Sequence, residues 1–122
     1  FPGASDGDWL FYIGRSYNDR WLIDRQLNGN VCEARIWDVA RTQQEIWKNM
    51  YDIEDPENEA HLAAYWKFNE GSSNDIKDYS KYHNDAHIVR YWKDFNSKEE
   101  YDVKNEELWP SGIEVPQVNR ED

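Results

Sequence analysis

The chain has 122 residues, enough for one domain or part of one. Its 25 acidic and 14 basic side chains leave a net charge of −11, which excludes nucleic acid and other polyanions as natural partners. No apolar run reaches spanning length, so membrane insertion is not expected.

Seven Trp, eight Tyr and four Phe suit a pleated, half-buried surface and predict β structure. The chain opens on Phe1 rather than Met, which suggests a processed or excised piece of something longer. Phe1–Asp8 is turn-like, and Trp9–Gly14 (WLFYIG) reads as a strand. A polar loop with aromatic insertions follows, carrying Arg15, Tyr17 and Trp21, and Asn28–Asn30 (NGN) is a strong turn signal. Val31–Val39 (VCEARIWDV) is the second strand. Alternation places Cys32, Ala34 and Ile36 on a core face, and Val31, Glu33, Arg35 and Trp37 on a wetter one. Cys32, the single cysteine, is expected to be a buried, inert thiol.

Arg41–Tyr51 reads as the one helix, because Thr42 and Glu45 have capping-box spacing and Ile46, Trp47 and Met50 share a side. An acidic loop broken by Pro56 leads into a third strand, Leu62–Asn69. There Ala64, Trp66 and Phe68 should face the core, and Tyr65 and Lys67 the other way. Asp75–Ser80 is a short strand or extended arm, Lys81–Asp85 a turn, and Ala86–Trp92 the last good strand. From Asp94 the chain becomes acidic and poor in apolar residues, an irregular arm held by Leu108, Trp109, Ile113 and Val115. About five short strands and one helix predict an all-β, antiparallel fold, sandwich or barrel.

Two segments carry a resemblance. Leu27–Ile46 (LNGNVCEARIWDVARTQQEI) resembles the laminin-G-like, or concanavalin-A-like lectin–glucanase, jelly-roll family. In that family a Gly turn leads into a strand ending Arg-Ile-Trp, then a helix opened by Ser or Thr. Leu62–Ile88 (LAAYWKFNEGSSNDIKDYSKYHNDAHI) resembles the family's Tyr-Trp-x-Phe-Asn-Glu-Gly strand and the Asn-Asp turn before its closing strand. The resemblance spans roughly residues 10 to 92 and implies a two-sheet antiparallel jelly-roll sandwich. Residues 1–93 would be its C-terminal part and 94–122 the acidic arm. Such a partial domain exposes edges and an apolar face, so the missing strands are expected from another chain or an upstream segment. The pentraxins share the strand–Trp–Asp–helix run and bind calcium just after the Gly matching Gly14. Arg15, Ser16 and Tyr17 stand there in this chain, so that site is not expected.

The enzymes of this superfamily that cut β-glucans carry Glu-x-Asp-x-x-Glu on one strand, and the chain lacks it, so no enzymatic activity is expected. His83, Asp85 and His87 match no zinc spacing. Asn74, Asp75 and Asp78 form the oxygen-rich candidate for a calcium ion, with turn capping as the competing role; no cofactor is required. Candidate sugar-stacking residues are Arg15, Tyr17 and Trp21 in the first loop, and Trp37, Tyr65 and Lys67 on the wetter strand face. The resemblance implies a non-catalytic carbohydrate-binding or adhesion module of a secreted or surface bacterial protein, extracellular, cell-surface or periplasmic. A glycan would be its partner. The alternatives are a structural or docking module beside a catalytic domain, and part of a glycoside hydrolase whose catalytic residues lie upstream.

Overall fold

The computed structural model describes residues 11–14, 27, 29–89, 91–93, 98–102 and 104–109. Their elements run β1 (Ala34–Trp37), α1 (Gln43–Lys48), a 3₁₀ turn (Pro56–Asn58), β2 (Leu62–Trp66), β3 (Asp75–Ile76), β4 (Ala86–His87), β5 (Tyr91–Lys93), β6 (Glu100–Asp102) and α2 (Asn105–Leu108). Most are strands: β1 pairs with β2 and β3 with β4, both antiparallel, and β5 pairs with β6. At this coarse level the described residues are mostly strand with few helices, compatible with an all-β class. It divides into two compact units, Phe1–Gly29 with Tyr91–Tyr101, and Asn30–Arg90 with Asp102–Asp122. In the first, Phe11–Gly14 are not strand, and the Leu27 N–H donates to the Gly14 carbonyl at 2.6 Å. The rest of the expected Trp9–Gly14 strand lies outside the described residues.

The second unit is organised around the β1–β2 ladder. Ala34 pairs with Trp66, Arg35 with Tyr65 and Ile36 with Ala64, and the register then shifts so that Trp37 faces Leu62. The skipped residue, Ala63, is a bulge, and it changes which side chains share a face. Leu62 would follow Ala64 by simple alternation; the bulge moves it to the Tyr65 side. Ile53, Leu62 and Tyr65 therefore form one core cluster, with Trp37 and Tyr79 packed against it. On the other side Ala64, Trp66 and Ile76 form a second, joined by Ala34, Ile36, Phe68, Ala86, Ile88 and Trp109. Burying a large apolar side chain contributes about 1.5–3 kcal/mol, so these clusters carry most of the stabilisation.

Both strands are shorter than their sequence patterns. Glu33 and Phe68 take left-handed backbone, φ 52° and 57°, and bracket the ladder beside the Glu33 N–H to Lys67 carbonyl bond of 3.3 Å. The other end is closed at Asp38 and His61 by a backbone bond of 2.9 Å and a side-chain pair of 2.8 Å. The turned backbone at Glu33 also breaks the alternation expected of Cys32. That thiol is exposed rather than buried with Ala34 and Ile36.

The helix α1 is capped as its sequence predicts. Thr42 Oγ1 accepts the Glu45 N–H at 3.1 Å, and Glu45 Oε1 accepts the Thr42 N–H at 3.1 Å. It is shorter than Arg41–Tyr51, and Ile46 remains 51 % exposed. The expected Ala86–Trp92 strand is split between β4 and β5. In the arm, Trp109 packs on the second core cluster and its indole N–H donates to the Ser73 carbonyl at 3.3 Å. Ile113 and Val115 lie outside the described residues.

Candidate ligand-binding cleft

The outer edge of β2 is closed by a turn built on one carboxylate. Asp78 is fully buried and bridges to Trp66, while the Tyr79 N–H donates to the Tyr65 carbonyl at 2.8 Å. Asp78 Oδ1 accepts the N–H groups of Tyr65 (2.9 Å) and Ser80 (2.8 Å). Its Oδ2 accepts the Ser80 hydroxyl (3.0 Å) and the Asn84 N–H (2.9 Å). The Asp78 N–H in turn donates to Asp85 Oδ1 at 2.9 Å. With four donors converging on it, this carboxylate has no lone pair directed at solvent for a cation. The calcium role expected of Asp78 is therefore corrected to that of turn organiser. Asp75 points away from it, its side chain 79 % exposed and paired with His87 Nδ1 at 3.0 Å across β3 and β4. The Asn74 carbonyl accepts the Ile88 N–H at 2.7 Å. Among the described residues, no three His, Cys, Asp or Glu side chains are grouped to hold a metal ion.

On the opposite face, two of the expected sugar-stacking residues, Tyr65 and Lys67, come together, but not as a wet surface. Tyr65 is fully buried. Its hydroxyl donates to Glu33 Oε2 and lies 3.3 Å from Asp52 Oδ1. Burial first, and the Glu33 carboxylate second, push the phenol well above its usual value of 10.0. Arg35 donates to the same Glu33 oxygen at 2.6 Å, and its guanidinium lies 5.0 Å from the Tyr65 ring centre. The Lys67 ammonium pairs with Asp52 at 3.5 Å and lies over Tyr79 at 4.7 Å. Tyr65 is thus a core residue with a polar tip, and Lys67 covers its neighbours. Alternation missed this because the Asp52–Ile53 segment packs over the face that the pattern left open to water. Arg15, Tyr17 and Trp21 lie outside the described residues.

Trp37 belongs to a different feature. One side of its ring packs on the Ile53–Leu62–Tyr65 cluster, and the Arg41 guanidinium lies over the ring at 3.6 Å. That face is therefore covered by a cation instead of being open to a pyranose. Arg41 precedes the helix cap and turns back along α1, donating from Nη2 to Asn49 Oδ1 at 2.7 Å. Arg35 reaches the same residue from β1, with Nη1 donating to the Asn49 carbonyl. Asn49 is the C-cap of α1, so a guanidinium there meets the negative end of the helix dipole.

Between strand and helix these groups enclose a cleft of about 230 Å³, lined by Arg35, Trp37, Arg41, Glu45, Ile46, Asn49 and Met50. Among the described residues, Nε of Arg35 and Nε of Arg41 have no hydrogen-bond partner. The helix residues of this cleft were not singled out from sequence as binding groups. The available signal was an arginine four residues after Trp37 and an amide at the far end of the helical run. No protein-family model, no curated protein and no solved structure matches the chain.

Proposed function

We propose that the chain is a non-catalytic carbohydrate-binding or adhesion module, part of a laminin-G-like sandwich displayed outside a bacterial cell, and that the Trp37–α1 cleft seats its ligand. The observation that carries this reading is the lining: an aromatic edge and the apolar Ile46 and Met50 beside two guanidinium groups. A sugar ring presents the matching chemistry, apolar C–H faces and rim oxygens that accept planar N–H donors. At about 230 Å³ the cleft is smaller than the roughly 300–1,000 Å³ of sites that enclose drug-sized ligands, so it suits one terminal ring. A sugar titration followed by tryptophan fluorescence tests it. Saturable binding is expected, lost in Ile46→Glu, which places a carboxylate in the cleft from an exposed position that tolerates change. Binding that survives Ile46→Glu, or no response across a glycan panel, counts against it.

A docking module is the second reading, and β1 favours it. Among the described residues no strand pairs with its outer edge, and an open edge accepts a strand from another segment or chain. Amide exchange would separate the readings: fast exchange along β1 in isolation, slowed by an added partner, supports docking.

A further inference from the structure

Resting on the glycan-binding reading above, we propose that the cleft selects a 6-deoxy sugar, whose methyl group sits against Ile46 and Met50. The polar groups around the cleft are already engaged with one another. Arg35 donates from Nη2 to Glu33 at 2.6 Å and from Nη1 to the Asn49 carbonyl. Arg41 spends Nη2 on Asn49 Oδ1 at 2.7 Å and on the Glu45 carbonyl at 3.4 Å. The Glu45 carboxylate accepts the Thr42 N–H of the capping box. Nε of each arginine is buried, out of a ligand's reach. Among the described residues this leaves Nη1 of Arg41 for a single rim hydroxyl, and the open wall of the cleft is mostly apolar.

That apolar wall is available to a ligand. None of the residues of α1 is buried, and Ile46 is 51 % exposed although it faces the cleft. A methyl group placed against it takes both surfaces out of water. A hydroxymethyl group in the same place gives up its hydrogen bonds to water and finds no partner on Ile46 or Met50. An ordinary hexose carries the hydroxymethyl at C6, and a 6-deoxyhexose carries the methyl there. An acetamido sugar also brings a methyl, but its N–H needs an acceptor. The Asn49 and Glu45 oxygens of the cleft already accept from the arginines and the helix cap. The methyl at C6 is therefore the substituent that the wall can receive without leaving a polar group unpaired.

The test uses the full chain and matched probes titrated by NMR: methyl D-fucoside against methyl D-galactoside, and methyl L-rhamnoside against methyl L-mannoside. At least one 6-deoxy sugar is expected to bind about tenfold tighter than its hydroxylated match, the discrimination of an apolar wall against an unpaired hydroxyl. Ile46→Gln offers that hydroxyl a partner from an exposed helix position and should bring the pair close to parity. Circular dichroism checks that the variant folds, and the wild-type comparison decides alone if it does not. Hydroxylated sugars binding as well as their 6-deoxy matches, or a preference unchanged in Ile46→Gln, overturns the methyl selection and leaves glycan binding standing. So does a preference for methyl N-acetylglucosaminide over methyl glucoside with none for the 6-deoxy sugars. Silence from all these probes and from a wider glycan panel overturns both.

Discussion

Replacing Asp78 is the sharpest perturbation of this fold. In Asp78→Ala the N–H groups of Tyr65 and Ser80 lose their acceptor, and both residues are buried. The Asn84 N–H also loses its partner, but Asn84 is exposed and water can replace the carboxylate. Each buried donor left unsatisfied costs about 1–3 kcal/mol, so losing two should cost the variant about 2–6 kcal/mol. That is a large fraction of the roughly 5–15 kcal/mol that holds a typical domain. Asp78→Asn keeps a carbonyl oxygen for the Tyr65 and Ser80 amides and sacrifices only the Oδ2 side, so it should lose about half as much. Urea unfolding followed by tryptophan fluorescence measures both, with a shifted midpoint at unchanged slope as the expected signature. A loss under about 1 kcal/mol in Asp78→Ala, or equal losses in the two variants, refutes the turn-organiser role. Calcium that raises the wild-type midpoint, but not that of Asp78→Asn, would return the residue to a metal site.

Thr42→Ala removes one arm of the capping box and should cost about 1 kcal/mol, seen as a lower urea midpoint. The capping bonds hold the Glu45 carboxyl below its ordinary value of 4.5. That contribution is present above the unfolded value and fades as pH falls through the folded one, so Glu45→Gln should flatten the acid limb of the stability profile. Tyr65 has the opposite sign. Its phenol is raised in the fold, so stability is complete below pH 10.0 and declines as pH climbs past it. Absorbance at alkaline pH should show Tyr65 ionising only with unfolding, and Tyr65→Phe should remove that part of the alkaline decline; early ionisation would contradict its burial.

Much of the local structure was legible in the sequence because it is set by neighbours in the chain. The Thr42–Glu45 cap and the core roles of Ala64 and Trp66 follow from spacing alone. What spacing could not give were the effects of contacts between distant segments. Alternation held until the bulge at Ala63 reassigned Leu62, and until left-handed Glu33 turned Cys32 outward. Tyr65 read as a wet ring because nothing nearby announces that Asp52 and Ile53 fold over it. The cleft was hidden for the same reason. Arg35 and Asn49 are fourteen residues apart, and only the return of the helix along the strand joins them.

The β1–β2 ladder is apolar on both sides, and this has a consequence for how it is assembled. In a half-wet sheet, slipping one residue turns the core set to solvent, so water itself proofreads the alignment. Here either alignment would bury apolar groups, and that correction is weak. Fidelity must come from contacts that recognise a single position. The Asp78 carboxylate grips the Tyr65 amide, and Glu33 meets both the Tyr65 hydroxyl and Arg35, its cross-strand neighbour. The polar groups inside this small core act as indexing pins, and their loss would yield misaligned but compact chains as well as unfolded ones.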